Sequence, residues 1–261
     1  MTETIQTQVA VIGAGPGGYA AAFEAADLGL DVTLIDVEKN PGGTCLYRGC
    51  IPSKALLHAA RILAEAKEAE QWGIRFGAPE IDLDQLRART QSVVTQMSGG
   101  LGQLREARNV NYIEGRAAFY DAHTLDIFHQ DGRETRLAAE YIIIAAGSRP
   151  ALFGKPLESP RIMNSTGALA LGDVPGSLLV IGGGYIGLEL GTVYAALGSK
   201  VTVVEMTDGL LPGADRELVK PLQRRLENHF EAILLDTKIA AMADRKNGIK
   251  VTLVGPGLAN T

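Results

Sequence analysis

The sequence predicts an α/β fold in which one βαβ unit occurs twice, and three observations predict it. QVAVIGAGPGGYAAAFEAADLGLDVTLID, Gln8 to Asp36, aligns with LLVIGGGYIGLELGTVYAALGSKVTVVE, Leu178 to Glu205. Gly13, Gly15 and Gly18 in the first copy and Gly182, Gly184 and Gly187 in the second share one G-x-G-x-x-G spacing. Each second strand closes on an acidic residue, Asp36 or Glu205, 18 positions after the third glycine.

Each element follows from its residues. An apolar run reads as a buried strand, the glycines as a tight turn, the stretch of small residues as a helix, the next glycine as its end, and a second apolar run as the returning strand. The first glycine permits the turn, the second lets backbone approach a pyrophosphate, and the third lets helix pack on strand. The helix N-terminus then presents free N–H groups and a positive dipole end to the phosphates, while the carboxylate accepts a hydrogen bond from an adenosine ribose hydroxyl. A single such motif is weak, because glycine turns also occur where nothing binds. Two complete copies are specific, and they define two Rossmann-like dinucleotide-binding domains.

Two dinucleotides on one chain point to electron transfer between a flavin and a nicotinamide, with the protein supplying binding and orientation. Glu205 is followed by Met206-Thr207-Asp208, with no nearby arginine for a 2′-phosphate, so NAD rather than NADP is expected at the second site.

Composition narrows the class further. A chain of 261 residues, 46% hydrophobic, can bury a sizeable core and needs no staple to fold. Its 25 basic and 30 acidic residues contain no Lys/Arg-rich run, which argues against a nucleic-acid partner. Apolar stretches are interrupted well before ~18 residues, so no transmembrane helix is expected. An apolar strand begins close to the first residue, leaving no room for a leader, and a cytoplasmic location is the expectation.

GGTCLYRGCIPSK, Gly42 to Lys54, holds both cysteines, Cys45 and Cys50. Metal binding is disfavoured, since His58, His123, His129 and His229 are dispersed and lack the ligand spacing of zinc sites. A structural bridge across so short a loop contributes roughly 2 kcal/mol in the chain-entropy model. A redox pair fits a reducing compartment better. Gly42 and Gly43 allow the backbone to come close to a ligand, and Ser53-Lys54-Ala55-Leu56-Leu57 opens an amphipathic helical run to about Trp72. Five residues of regular helix rise about 7.5 Å, beyond the ~6.8 Å reach of a disulfide. An oxidised pair therefore requires a distortion, which Gly49 and the Ile51-Pro52 step permit. Arg48 and Lys54 are cations that would favour a thiolate here. Further along, Ile81 to Leu104 places Val93, Val94, Met97, Leu101 and Leu104 at helical spacing, with a bend expected at Ser98-Gly99-Gly100.

GGTCLYRGCIPSKALL, following GAGPGGY and preceding GGGYIGLELG, resembles the pyridine nucleotide-disulfide oxidoreductase family, within it the members that oxidise dihydrolipoamide. EGRAAF, IIIAAGSRP and STGAL add to the likeness, which runs over essentially the whole chain. The resemblance implies FAD on the first fingerprint, NAD on the second, and a redox-active disulfide between Cys45 and Cys50. It makes Cys45 the interchange thiol and Cys50 the one that passes electrons to the flavin. It places Lys54 by the flavin, paired with Glu189 from the other domain, with Gly43, Thr44, Ala117, Ala146 and Gly147 among the FAD contacts. Tyr185 and Ile239 fall among the NAD contacts, Tyr185 either as a lid over the nicotinamide or as a packed turn aromatic. Two departures are AAGS for the family's usual ATGS, and Asp36 where relatives more often carry Glu.

The same resemblance implies a homodimer and, as partner, the lipoyl domain of a 2-oxo acid dehydrogenase or glycine-cleaving complex. In the family a histidine of an HPxxxE-like motif, from the partner subunit, deprotonates the incoming thiol. No stretch of this sequence matches it, nor the family's later GD segment. The expectation is a truncated chain: an FAD domain segment at 1–147, an incomplete NAD domain at 148–261, and no dimerisation domain. Alternative readings are a reductase of glutathione, mercuric ion or another disulfide, commonly NADPH-linked, and a non-catalytic FAD/NAD-binding fragment.

Overall fold

The structure, a computed structural model, describes residues 4–151 and 157–257. The readings that rest on Met1 to Glu3 and on Leu258 to Thr261 lie outside the described residues. In chain order the elements are β1 (Thr4–Ile12), α1 (Pro16–Asp27), β2 (Val32–Asp36), α2 (Gly43–Arg48), α3 (Cys50–Glu68) with a 3-10 turn at Ala69–Trp72, α4 (Leu83–Ala107), β3 (Asn111–Glu114), β4 (Arg116–Phe119), β5 (Thr124–Phe128) and β6 (Glu134–Ile144). There follow α5 (Ser165–Leu169), β7 (Ser177–Ile181), α6 (Tyr185–Ala196), β8 (Lys200–Val204), α7 (Arg216–Glu227), β9 (Ala232–Leu234), β10 (Lys238–Arg245) and β11 (Gly248–Val254).

The chain forms two compact units, Met1–Pro52 with Gln91–Arg149, and Ser53–Thr90 with Pro150–Thr261. In the first, six strands lie in the order β3-β2-β1-β6-β5-β4. The central pairs are parallel, Val11 standing beside Leu34 on one side and Ile143 on the other, while β4, β5 and β6 run antiparallel. Parallel strands covered on both faces read as continuous apolar runs, which is why Val32 to Ile35 are all buried. One cluster packs Val9, Val11 and Leu34 against Ala22 and Ala25 of α1; a second gathers Ala10, Ile35, Leu125, Ile127 and Leu137.

In the second unit β7, β8 and β9 form a parallel sheet, and β10 and β11 a hairpin. Its core joins Leu188, Val193 and Tyr194 of α6 to Val201 and Val203 of β8, with Leu56 and Ala60 of α3 in the same cluster.

The two βαβ units are thus present as β1-α1-β2 and β7-α6-β8. The amphipathic helix that the sequence places from Ser53 begins earlier, at Cys50, after an interruption at Gly49, and ends in the 3-10 turn at Trp72. Helix α4 continues through Ser98-Gly99-Gly100 without interruption, so no break occurs at these glycines. Of its apolar stripe Val94 is buried, while Met97 and Leu104 remain exposed. No helix among the described residues is long and apolar enough to cross a membrane.

Candidate active site

The first glycine turn is shaped by contacts that exclude side chains. Gly13 has φ +96, and a Cβ there would stand 2.2 Å from the Ala145 carbonyl oxygen. A Cβ on Gly18 would lie 1.7 Å from the Gly13 carbonyl oxygen, so the helix sits directly on the turn. Around the middle glycine, Gly15, the nearest atom to an added Cβ is Gly43 Cα at 3.8 Å. The second unit repeats the pattern: a Cβ on Gly187 would meet the Gly182 carbonyl oxygen at 2.6 Å, and one on Gly184 would meet nothing within 4 Å.

Both helices begin directly after the middle glycine, Gly15 or Gly184, which stands at the N-cap with no side-chain cap and no acidic residue in the first turn. Their leading N–H groups are left to other acceptors. Open space at the middle glycine, uncapped N–H groups and a positive helix end together fit a dinucleotide pyrophosphate at each turn.

The two strand-end carboxylates turn inward in the same way. Asp36 Oδ2 accepts from the Ala14 N–H at 2.6 Å and Oδ1 from the Glu38 N–H at 3.0 Å. Glu205 Oε2 accepts from the Gly183 N–H at 2.7 Å and Oε1 from the Thr207 N–H at 2.8 Å. At Gly183 a side chain would force a neighbour to shift: a Cβ there would stand 2.7 Å from Leu210 Cδ2 and 3.2 Å from Glu205 Cβ. Glu205 is 6% exposed. Burial opposes its ionisation, but the hydrogen bonds from Gly183 and Thr207 outweigh it and hold the carboxyl below the usual range. Beside Asp36, burial first and then that carboxylate push the Tyr112 phenol upward.

The cysteine segment is seated on the first turn. The Gly42 N–H donates to the Ala14 carbonyl at 2.7 Å. Gly43, at φ +56, lies so near that a Cβ on it would be 2.5 Å from Gly15 Cα. The double glycine expected to approach a ligand thus also makes a backbone-to-backbone contact. Cys45 and Cys50 are joined as a disulfide, with Cα atoms 4.8 Å apart. That approach is possible because α2 ends at Arg48 and α3 begins at Cys50. Gly49 fills the break, where a Cβ would lie 3.0 Å from the Thr44 carbonyl oxygen. Arg48 is ion-paired with Glu38.

Other expected residues of this unit come near the same strand ends. The Ala145 N–H donates to the Ile12 carbonyl at 2.8 Å, which fixes Ala146 and Gly147 beside the turn. The Gly115 N–H donates to the Asp36 carbonyl at 2.8 Å, so Ala117 in β4 follows directly from the end of β2. Thr44 Oγ1 lies 3.4 Å from the Ser148 carbonyl oxygen.

In the second unit Lys54 Nζ contacts both Glu189 oxygens, at 2.8 and 3.0 Å, and the buried Ser53 hydroxyl donates to Glu189 Oε2 at 3.1 Å. Lys54 and Glu189 belong to the same compact unit, which differs from the expectation that the pair comes from two domains. The reason is the packing of Leu56 and Ala60 into the core of α6 and β8. Tyr185, first residue of α6, is 66% exposed and so is not packed into its turn. The N–H groups of Asp236 and Thr237 donate to the Thr207 and Glu205 carbonyls, which brings the start of β10, and half-buried Ile239, beside the end of β8. Among the described residues no group of three or more His, Cys, Asp or Glu is placed to hold a metal ion.

Four features escaped the sequence reading: the Gly42 to Ala14 bond, the restriction at Gly183, the hydroxyl of Thr207 and that of Ser53. The one signal for any of them was Gly183 itself, where the first copy carries Ala14.

A family model described as pyridine nucleotide-disulphide oxidoreductase matches residues 7–257. A dihydrolipoyl dehydrogenase of Haemophilus influenzae is 48% identical over 262 residues, covering 100% of this chain and 55% of that protein. One from Vibrio cholerae is 46% identical, covering 98% of this chain and 54% of the other. Among solved structures, LpdA of Mycobacterium tuberculosis superimposes with a TM-score of 0.85 at 26% identity, over 95% of this chain and 55% of its own. The Cu(II) complex of the HOCl-induced flavoprotein disulfide reductase RclA of Escherichia coli gives 0.81 at 28% identity, over 96% and 54%. The chain spans about half the length of the curated relatives it matches.

Proposed function

This chain belongs to the pyridine nucleotide-disulphide oxidoreductase family, and we propose that it carries the nucleotide sites and the redox disulfide of a dihydrolipoamide dehydrogenase. The reaction is oxidation of dihydrolipoamide to lipoamide, with FAD on the first glycine turn and NAD⁺ on the second. The observation that carries the reading is the Cys45–Cys50 disulfide, held two residues beyond a glycine pair that seats on the first nucleotide turn.

The chain's own chemistry is thiol exchange. A substrate thiolate attacks the Cys45 sulfur, the Cys45–Cys50 bond breaks, and Cys50 leaves as thiolate. The second substrate thiolate then displaces Cys45, closing the lipoamide ring. The substrate loses two electrons and two protons, and the protein gains a dithiol. Bound FAD and NAD⁺ supply the two-electron acceptors that return the cysteines to the disulfide. Lys54, fixed by Glu189 and Ser53, contributes a positioned positive charge. Gly13, Gly15 and Gly18 hold one pyrophosphate, Gly182, Gly184 and Gly187 the other, and Glu205 takes the NAD ribose. The partner is a lipoyl domain, the assembly a homodimer, and the thiol's base comes from outside this sequence.

Purified chain, supplied with FAD, tests this. A bound-flavin absorption spectrum and formation of NADH from NAD⁺ and dihydrolipoamide are expected, at a low rate in the absence of the base. Failure to retain flavin would point to the inert-fragment reading, and turnover with NADPH in preference to NADH would point to the other reductases.

A further inference from the structure

The two nucleotide units bind their strand-end carboxylates alike, except at one atom. In both, one carboxylate oxygen accepts the N–H of the central turn residue, Ala14 or Gly183, and the other accepts the N–H two positions beyond the acid, from Glu38 or Thr207. In the second unit alone a side chain joins them: the Thr207 hydroxyl donates to Glu205 Oε1 at 2.9 Å. Glu38, its counterpart, is turned to Arg48 instead.

The added donor matters because Glu205 is nearly closed off, at 6% exposure. A carboxylate offers about four lone-pair positions. Oε1 already takes two bonds from Thr207, and Oε2 takes one from Gly183, with the Met206 N–H a further, weaker donor to the carboxylate, so Oε2 is the oxygen with more room for a ligand hydroxyl. The Thr207 hydroxyl has one hydrogen, with the Gly209 carbonyl at 3.0 Å as its alternative acceptor. Between the two, the ionised carboxylate is the stronger acceptor. The Thr207 carbonyl is itself tied down, accepting from the Asp236 N–H at 2.9 Å.

We propose that Thr207 is a positioning residue: by occupying Oε1 of Glu205 it aims Oε2 at the nucleotide's ribose hydroxyl, and so sets a preference for NADH over NADPH. The proposal rests on the reading of the second unit as the NAD site. Thr207 acts through Glu205, so its contribution vanishes when the carboxylate is removed.

The test uses the whole 261-residue chain with FAD, and reads NADH and NADPH dissociation constants from quenching of nicotinamide fluorescence. Thr207→Val keeps shape and removes the donor; NADH binding is expected to weaken about tenfold, as loss of one hydrogen bond to a charged group predicts. NADPH binding changes less than about twofold, so the discrimination narrows. Thr207→Ser restores NADH binding to within about twofold of the parent. In a Glu205→Ala background, which removes both acceptor oxygens, Thr207→Val adds no further loss. Unchanged NADH binding in Thr207→Val, or the same loss with Ala at 205, overturns the proposal. Thermal melts accompany each variant; should Thr207→Val not fold, Thr207→Ala against Thr207→Ser makes the same comparison. Parent chain that binds NADPH more tightly than NADH refutes the NAD reading itself, before any variant is made, and takes the proposal with it.

Discussion

Gly43 lies against Gly15 so closely that a Cβ on Gly43 would stand 2.5 Å from the Gly15 Cα. The first glycine turn and the segment carrying the disulfide are therefore a single piece of backbone packing, reinforced by the Gly42 N–H on the Ala14 carbonyl.

Gly43→Ala is expected to break that seat. It adds a left-handed backbone cost of about 1–2 kcal/mol to a clash with main chain that no side-chain rotation relieves. Expected are a loss of about 2–3 kcal/mol in stability and weakened flavin retention. Gly99→Ala is the control: it sits inside α4 with nothing within 4 Å of an added Cβ, and should gain up to about 1 kcal/mol. Melting curves and flavin absorbance of the two variants separate the effects; a Gly43→Ala protein as stable as its parent would contradict the packing.

The disulfide gives a second expectation. Both cysteines of the chain are paired with each other, so a thiol reagent under denaturing conditions should find none before reduction and two after. Reduction or Cys50→Ser should cost only roughly 2 kcal/mol, because so small a loop restrains the unfolded chain little. The melting point should fall by about 4–8 °C. Complete unfolding on reduction would show a structural staple rather than a working redox pair.

What the sequence disclosed about these sites depended on how local the cause was. The spacing of Gly13, Gly15 and Gly18 is legible because each has a steric reason a few residues away, as in the 1.7 Å that would separate a Gly18 Cβ from the Gly13 carbonyl. The break at Gly49 is legible because helix geometry alone forbids the disulfide without it. Gly42 on Ala14 is a contact 28 positions apart, and nothing in either residue names the other. Lys54 and Glu189, 135 positions apart, could be joined only through the family resemblance. The grouping of residues 53–90 with the second unit was illegible for a related reason: Leu56 and Ala60 are ordinary helix residues until the core they enter is known.

The Lys54–Glu189 pair should matter far less to stability than to chemistry. Its side chains are 58% and 28% exposed, and pairs so open to water contribute at most about 1 kcal/mol. A double-mutant cycle with Lys54→Met and Glu189→Gln should therefore give a stability coupling no larger than about 1 kcal/mol. The flavin spectrum of Lys54→Met tests the role proposed for this charge: a shift is expected, and a spectrum identical to the parent's would contradict it.

Glu205 makes stability depend on pH in a stated direction. Its folded carboxyl lies below the usual range because burial, which would raise it, is outweighed by the Gly183 and Thr207 donors. A glutamate in unfolded chain ionises near ~4.3. Above that value both states are ionised and the full stabilisation is present. As pH falls below it the unfolded state takes up the proton first, and the stabilisation is lost progressively until the folded carboxyl is protonated too. Urea midpoints should thus be level from about pH 7 to 5 and then decline, as far as this group is concerned. Glu205→Gln should be less stable at neutral pH and show a shallower acid decline. Equal acid slopes in parent and Glu205→Gln would mean that the donors around this carboxylate do not favour its charged form.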